Sequence, residues 1–171
     1  AYLEWGVECQ KKFRGMWSFA LWDSREKQLF CSRDRFGIKP FYYYFDGTSF
    51  VFGSEIKQVL LALDSREINE IMLYRLLKMG SFIYYGEETL FQKIRVLPHS
   101  HYLLLDGSGL TVERYYDLPQ EEFKTSTLSF EEASEEYKTR FEEIIRLHTE
   151  GEDEVGGCLS GGLDSSAIVS V

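Results

Sequence analysis

The stretch that most constrains the fold lies at the end of the sequence and is rich in Gly and Ser. A short apolar run reaches Leu159, residues 160–166 (Ser-Gly-Gly-Leu-Asp-Ser-Ser) turn the chain, and Ala167 begins a predicted helix. Adjacent glycines let the backbone approach a ligand closely, and serine hydroxyls add hydrogen-bond donors. The first free amides of a helix favour an anion. The stretch therefore predicts a phosphate-binding turn, and an ordinary strand-to-helix turn is the alternative.

The spacing within this stretch separates it from other loops of similar composition. A Walker loop requires a lysine after its last glycine, and the turn contains none. A nucleophile elbow requires Gly-x-Ser-x-Gly, but Cys158 occupies the first glycine position around Ser160. The string instead resembles the Ser-Gly-Gly-x-Asp-Ser signature of the PP-loop ATP pyrophosphatases. That resemblance implies a grip on the pyrophosphate of ATP while AMP is transferred to a carboxylate or carbonyl oxygen.

Composition and charge exclude several other classes of protein. The chain is 44% hydrophobic and 16% aromatic, which is enough for a packed core. Its three cysteines have no paired spacing, which argues against a disulfide scaffold or zinc site and predicts a cytoplasmic setting. No run is long and apolar enough to predict a membrane span, and we expect no signal peptide. Residues 120–154 hold twelve acidic and four basic side chains, which predicts a solvated helix face and no nucleic acid partner.

Alternating apolar residues and turn signals predict three hairpins and two helices before residue 118. The predicted elements are strands 16–23 and 28–32, strands 41–45 and 49–52 about an Asp46-Gly47 type I′ turn, a helix from Glu55 capped by Ser54, a helix 68–79 stopped by Gly80, a loop 81–97, and strands 101–105 and 110–115. Beyond residue 118 we predict a linker over 119–128, then an amphipathic helix from a Ser129–Glu132 capping box to about residue 148. Both ends look cut, so we expect a piece of a longer protein.

Several side chains suggest chemistry but also have simpler explanations. His99 and His101 are predicted to be surface or hairpin residues, because no Asp or Cys stands at a catalytic spacing from them. Residues 33–35 (Arg-Asp-Arg) are predicted to form a loop held by its own ion pairs, with anion binding as the alternative. Glu55 is explained by the helix dipole. The three cysteines, Cys9, Cys31 and Cys158, are predicted to be small core residues.

Taken together, these segments resemble the glutamine-dependent asparagine synthetases along nearly the whole chain and in the family's order. The motifs that carry the resemblance are Gly-Met-Trp-Ser-Phe-Ala-Leu-Trp-Asp at 15–23, Arg-Asp-Arg-Phe-Gly-Ile-Lys-Pro-Phe-Tyr-Tyr at 33–43, Ser-Glu-Ile-Lys-Gln-Val at 54–59, and the PP-loop at 159–166. The resemblance implies an α+β N-terminal-nucleophile (αββα) partial domain over 1–118, the class II glutaminase, followed by the start of an α/β PP-loop domain over 129–171. Gly157 and Cys158 replace larger apolar residues of the family, and we expect looser packing beneath the loop.

The resemblance also implies a reaction and its site residues. The family uses ATP and Mg²⁺ to convert aspartate to β-aspartyl-AMP, and ammonia released from glutamine attacks that intermediate after passing through a tunnel. The ATP-binding residues carried over are Leu159, Ser160, Gly161, Gly162, Asp164, Ser165 and Ser166, with Asp164 acting on Mg²⁺ through the pyrophosphate. The small-molecule partners are glutamine, aspartate and ATP, and a homodimer is compatible with the family.

The glutaminase half carries over no catalytic residue, because the family's nucleophile is an N-terminal Cys and this sequence begins with Ala1. We therefore expect the 171-residue chain to be inactive alone. Two alternatives stay open: a related amidotransferase or β-lactam-synthetase-like enzyme with another acceptor, and a non-catalytic family member used as an interaction partner.

Overall fold

A computed structural model describes residues 1–80, 86–118, 127–151 and 154–171. The chain divides into two units, Ala1–Pro119 and Gln120–Val171. Most of the predicted linker, residues 119–126, lies outside the described residues, as does the part of the predicted loop at 81–85. In chain order the elements are α1 (Tyr2–Trp5), a 3-10 helix (Gly6–Lys12), β1 (Ser18–Asp23), β2 (Gln28–Arg33), β3 (Tyr42–Phe45), β4 (Phe50–Gly53), α2 (Ile56–Leu60), α3 (Glu70–Met79), β5 (Arg95–Val96), β6 (His101–Asp106), β7 (Gly109–Arg114), α4 (Phe130–Thr149) and α5 (Leu163–Ser170).

Two antiparallel sheets form the first unit. The larger sheet has the strand order β1-β2-β6-β7, and the smaller has the order β4-β3-β5. The three hairpins predicted from the sequence are present, and β2 pairs with β6 so that Cys31 lies opposite Leu103. The two-residue strand β5 falls within the predicted loop. It pairs with β3 at Tyr42 and Tyr43, and so short a strand leaves no alternating pattern in the sequence.

Alternation along β2 places hydrophobic clusters on both faces of the larger sheet. Cys31 packs on one face with Phe41, Tyr43, Leu97 and Leu103. Phe30 points to the opposite face, where it packs with Tyr102 of β6 and Cys9 of the 3-10 helix. The core of this unit therefore depends on both the second sheet and the N-terminal helices.

Two of the predicted turns and caps are wrong in detail. β3 ends at Phe45, paired with Phe50, so four residues connect the strands and not the two of a type I′ turn. The carboxylate of Asp46 organises this loop by accepting hydrogen bonds from the amides of Thr48 (2.9 Å) and Ser49 (2.8 Å). At α2 the N-cap is Glu55 and not Ser54, because Glu55 forms a capping box with Gln58.

The longer helices agree better with their sequence signals. α3 is capped by Asn69 and ends at Gly80, which adopts the predicted left-handed conformation (φ 66°). α4 begins with the predicted Ser129–Glu132 capping box, and none of its residues is buried. No helix among the described residues is both long and apolar enough to cross a membrane.

The cysteine prediction holds for two of the three residues. Cys9 and Cys31 are buried in the first unit, with exposed fractions of 1% and 0%. Cys158 is exposed, so its assignment to a core is wrong for the second unit. Cys158 lies just before the Gly- and Ser-rich turn, in a described segment that forms no strand. Its side chain is therefore not covered by a sheet.

Candidate functional site

The Gly- and Ser-rich turn of the second unit leads directly into α5. Residues 154–162 form neither helix nor strand, and Gly162 is the N-cap residue with an extended backbone (φ −77°, ψ 163°). The helix begins at Leu163, four residues before the predicted start at Ala167. The sequence prediction assigns these residues to the turn because Gly, Asp and Ser favour turns, but Asp and Ser also favour the start of a helix. The structure therefore places Asp164, Ser165 and Ser166 within α5.

Gly161 supplies the backbone conformation that turns the chain into this helix. Its φ of +81° lies in the left-handed region that side-chain-bearing residues rarely adopt. A Cβ atom at this position would meet nothing within 4 Å, so the requirement for glycine is conformational and not steric. The sequence analysis explains this glycine by close approach to a ligand, and the structure adds a conformational reason for it.

Two serine hydroxyls meet inside the turn. The Oγ atoms of Ser160 and Ser165 are 3.0 Å apart, and the Ser165 hydroxyl donates to the carbonyl oxygen of Gly162 at 3.2 Å. Backbone amides point at the same hydroxyls: that of Ser160 donates to Ser165 Oγ and that of Gly162 donates to Ser160 Oγ, each at 3.3 Å. Hydroxyl oxygens thus accept hydrogen bonds from amides that are also suited to bind the oxygens of an anion.

The other predicted site residues lie on the surface around this pair. Leu159 is 62% exposed, and Asp164 and Ser166 are exposed in the first turn of α5. The amide of Ser166 donates to the Gly162 carbonyl oxygen (3.1 Å). Gly162 is the N-cap residue and has no side chain that could accept hydrogen bonds from the amides of residues 163–165. The helix N-terminus therefore favours a negative charge, which the Asp164 carboxylate supplies in part.

A metal ion at this position would rely on Asp164 together with the ligand. Among the described residues no group of three or more His, Cys, Asp or Glu side chains is arranged to hold a metal. One carboxylate beside a turn that is predicted to bind phosphate is compatible with the way Mg²⁺ is usually held, by one or two carboxylates and by substrate phosphates. The donor set at α5 fits a Mg²⁺–phosphate complex and does not form a preformed metal cage.

Hydrogen bonds between side chains and backbone groups organise the charged loop at residues 33–35, where the sequence predicts ion pairs within the loop. The carboxylate of Asp34, which is 1% exposed, accepts hydrogen bonds from the amides of Phe36 (3.1 Å), Ile38 (3.0 Å) and Lys39 (2.9 Å). Burial by itself raises the pKa of Asp34, but the hydrogen bonds from backbone amides outweigh burial and hold the pKa below its ordinary value. The loop is thus a rigid part of the scaffold.

The flanking arginines hold the same loop from outside, by donating to backbone carbonyls. Arg33 donates to the carbonyl oxygens of Gly37 (2.7 Å), Lys39 (2.8 Å) and Leu97 (2.7 Å), and Arg35 donates to that of Phe13 (2.7 Å). The Arg-Asp-Arg spacing signals a charged loop, but two of the partners, the carbonyls of Leu97 and Phe13, are distant in the sequence and no pattern identifies them.

The two histidines lie where the sequence predicts, before and at the start of β6. His99 is exposed and its Nδ1 contacts the Arg35 carbonyl oxygen at 3.2 Å. His101 is half-buried at the first position of β6, with Nδ1 2.7 Å from the His99 carbonyl oxygen. Both positions agree with the predicted surface or hairpin location.

Loose packing beneath the loop agrees with the exposure of Cys158 and of Val169, which is 51% exposed, but Gly157 itself approaches α5 closely. A Cβ atom on this residue would lie 2.9 Å from Val169 Cγ2, so the backbone of the segment already touches α5. No sequence pattern indicates this contact, because it depends on the folded path that brings the segment back against the helix.

Comparison with known proteins connects both units to one family. Residues 1–116 match the family model described as glutamine amidotransferase domain, and residues 136–171 match the one described as asparagine synthase. The chain is 33% identical over 172 residues to asparagine synthetase [glutamine-hydrolyzing] 3 of Bacillus subtilis, covering 100% of the chain and 27% of that relative. It is 33% identical over 178 residues to a putative asparagine synthetase [glutamine-hydrolyzing] 2 of Methanocaldococcus jannaschii, covering 99% of the chain and 33% of that relative.

A more distant relative carries a different name. Amidase chry2 of Gibberella zeae is 28% identical over 172 residues, covering 99% of the chain and 25% of that protein. The chain thus spans between a quarter and a third of the length of these relatives. Because the amidotransferase model covers most of the chain and the synthase model follows it in order, the chain belongs to the glutamine-hydrolysing asparagine synthetase family.

Proposed function

We propose that the chain is part of an ATP-dependent carbon–nitrogen ligase, an asparagine synthetase that uses glutamine as its amide donor. The observation that carries the proposal is the Ser160–Ser165 turn at the N-terminus of α5, within the region that matches asparagine synthase. The complete enzyme would convert aspartate, glutamine, ATP and water to asparagine, glutamate, AMP and pyrophosphate in the cytoplasm.

The donors at the turn suit the phosphates of ATP. The hydroxyls of Ser160, Ser165 and Ser166 and the amides of Gly161 and Gly162 would bind phosphate oxygens, and the Gly162 amide would exchange its present bond to Ser160 Oγ for one of them. Leu159, exposed just before the turn, would lie against the nucleotide. Asp164 would orient the pyrophosphate through Mg²⁺, which supplies positive charge between two groups that otherwise repel each other.

The reaction class follows from the poor reactivity of a carboxylate toward ammonia. A carboxylate oxygen of aspartate attacks the α-phosphorus of ATP, pyrophosphate leaves, and the product is β-aspartyl-AMP. Ammonia then attacks the acyl carbon, and AMP leaves with the former carboxylate oxygen. In this scheme the turn holds the leaving pyrophosphate, so its hydrogen bonds act where negative charge develops.

The first unit would belong to the glutaminase that supplies the ammonia. Its two antiparallel sheets and flanking helices are compatible with an N-terminal-nucleophile (αββα) domain, and residues 1–116 match the amidotransferase family. We assign no described residue to glutamine hydrolysis. The network centred on Asp34 gives this unit a rigid frame on which residues from elsewhere in the protein would be placed.

A second candidate is an amide-forming relative with another acceptor. Two fungal proteins named as amidases, from Gibberella zeae and Penicillium rubens, are each 28% identical over 99% of the chain. In both candidates the turn would bind ATP, and they would differ in the carboxylic acid that is activated.

The test uses the complete protein with ATP, Mg²⁺, glutamine and a panel of carboxylic acids. We expect pyrophosphate release that requires aspartate, accompanied by one asparagine per pyrophosphate. Release with a different acid would favour the second candidate. Absence of pyrophosphate with every acid, from a protein that hydrolyses glutamine, would contradict the ligase function and leave the non-catalytic alternative.

A further inference from the structure

Three glycines of the second unit, at positions 156, 157 and 161, differ in the backbone conformation and in the space available for a side chain. Gly161 has a positive φ and open space around it, whereas Gly156 has no positive φ and an added Cβ there would meet no atom within 4 Å. Gly157 has no positive φ, but a Cβ atom there would lie 2.9 Å from Val169 Cγ2. Its backbone is one that any residue can adopt, so glycine is needed in this chain because Val169 faces the position, whereas the family that the sequence resembles has a larger apolar residue there.

We propose that Gly157 is a positioning residue, whose missing side chain sets the distance between the segment that leads into the turn and α5. This role rests on the proposed ATP-dependent function. Two carbon atoms in ordinary contact are about 3.5 Å apart or more, so a Cβ at 2.9 Å requires the segment and the helix to separate by roughly half an ångström.

Val169 cannot easily relieve this contact by itself. It lies in α5, and a valine in a helix has one strongly preferred χ1 rotamer, so rotation of its methyl groups is costly. The contact would then be relieved by movement of the backbone, either of the segment that contains Gly157 or of α5. Gly157 lies only three residues before Ser160, so a shift of the segment also displaces Ser160.

The two elements separated by Gly157 carry the two hydroxyls that meet in the turn. Ser160 belongs to the incoming segment and Ser165 belongs to α5, and their Oγ atoms are 3.0 Å apart. The two amide contacts beside them are already 3.3 Å long, near the limit of an effective hydrogen bond. A separation of roughly half an ångström would therefore move the Ser160 and Ser165 hydroxyls out of the spacing in which we propose that they bind the phosphates.

The experiment compares Gly157→Ala with Gly156→Ala in the complete protein, and adds Val169→Ala alone and combined with Gly157→Ala. Gly156→Ala is the matched control, because it adds the same methyl group one residue away in open space. ATP dissociation constants are measured by calorimetry, and KM and kcat by pyrophosphate release. A loss of folded protein lowers the apparent kcat of every assay but does not change KM or the dissociation constant.

We expect Gly157→Ala to raise the dissociation constant and KM for ATP about tenfold, in line with the sensitivity of bound geometry to small displacements. Gly156→Ala and Val169→Ala should each stay within about twofold, and the double variant Gly157→Ala/Val169→Ala should recover most of the loss, because the shorter side chain removes the colliding methyl.

Equal ATP binding by Gly157→Ala and Gly156→Ala would overturn the positioning role while leaving the ligase function in place. Failure of Val169→Ala to restore binding to a folded Gly157→Ala protein would overturn it as well. An unsubstituted protein that binds no ATP would overturn the proposed function, and the positioning role with it.

Discussion

Asp34 offers the sharpest stability prediction, because one buried carboxylate closes a whole loop. Its Oδ1 accepts from the amides of Phe36 and Ile38, and its Oδ2 accepts from the amide of Lys39. The residue is 1% exposed, so water cannot replace these contacts without opening the loop. Asp34→Asn keeps the Oδ1 position but places an NH₂ group against the Lys39 amide, which is also a donor.

The expected decrease in the free energy of unfolding follows from the hydrogen bonds that each substitution removes. A hydrogen bond to a charged group contributes about 1.5–3 kcal/mol, and an unsatisfied buried donor costs about 1–3 kcal/mol. Asp34→Asn loses the charge and the bond to Lys39, so we expect the free energy of unfolding to fall by about 2–3 kcal/mol. Asp34→Ala loses all three of these bonds, and we expect a fall of about 3–5 kcal/mol after partial hydration of the freed amides.

The same carboxylate makes this contribution depend on pH. The pKa of Asp34 is lower in the folded protein than in the unfolded chain, because backbone hydrogen bonds outweigh the effect of burial. Its contribution is therefore complete above the unfolded pKa of about 3.9 and is lost as pH falls through the lower folded value. The difference between the unsubstituted protein and Asp34→Asn should shrink below about pH 4.

The assay is urea unfolding of the complete protein at neutral and acidic pH, with hydrogen exchange of the peptide containing residues 33–40 to locate the change. Asp64→Asn is the control, since Asp64 is exposed and a surface substitution usually changes stability by less than about 0.5 kcal/mol. Equal stability of the Asp34 and Asp64 variants at neutral pH would contradict the role assigned to the buried carboxylate. So would unchanged exchange within residues 33–40 of Asp34→Ala.

Three further predictions concern the second unit and the cysteines. Gly161→Ala should cost about 1–2 kcal/mol of turn stability because of its positive φ, weakening ATP binding about 5- to 30-fold by calorimetry; unchanged binding would contradict the conformational requirement. Ser129→Ala should lower stability by about 1 kcal/mol through loss of the capping box, whereas Ser134→Ala on the exposed face of α4 should not, in thermal unfolding. Iodoacetamide should label exposed Cys158 well before Cys31, because burial raises the pKa of the Cys31 thiol to about 12; similar rates in peptide mass spectrometry would contradict this.

The sequence predicts the elements whose signals are local. Alternation locates the three hairpins, and the Ser129–Glu132 capping box locates the start of α4. Gly80 correctly marks the end of α3, because a left-handed residue there favours glycine. These features depend on residues within a few positions of one another, so the sequence alone contains the necessary information.

The errors arise where a residue type suits two local structures or where the partner is distant. Asp and Ser favour both turns and helix starts, so the sequence places the beginning of α5 four residues late. Asp46-Gly47 suggests a two-residue turn, but the Asp46 side chain stabilises a four-residue loop by binding amides further along. The hydrogen bonds from Arg33 to Leu97 and from Arg35 to Phe13, and the approach of Gly157 to Val169, depend on the folded path of the chain.

The candidate site also has features that the sequence predicts and others that it does not. The motif locates the hydroxyls and the glycine of the turn, and the structure brings Ser160 and Ser165 together with Gly161 in the left-handed region. The assignment of these residues to ATP and of Asp164 to Mg²⁺ remains a prediction from the family resemblance. The acceptor cannot be inferred from the turn, because the two candidate functions use the same phosphate contacts.

The most direct test of the proposed mechanism follows one oxygen atom through the reaction. The complete protein is incubated with ATP, Mg²⁺, glutamine and aspartate labelled with ¹⁸O in its side-chain carboxylate, and the products are analysed by mass spectrometry. Activation as β-aspartyl-AMP predicts one ¹⁸O atom in each AMP, none in pyrophosphate, and one retained in asparagine. Asparagine formed with unlabelled AMP, or label in a phosphate released from the γ position, would contradict the proposed mechanism.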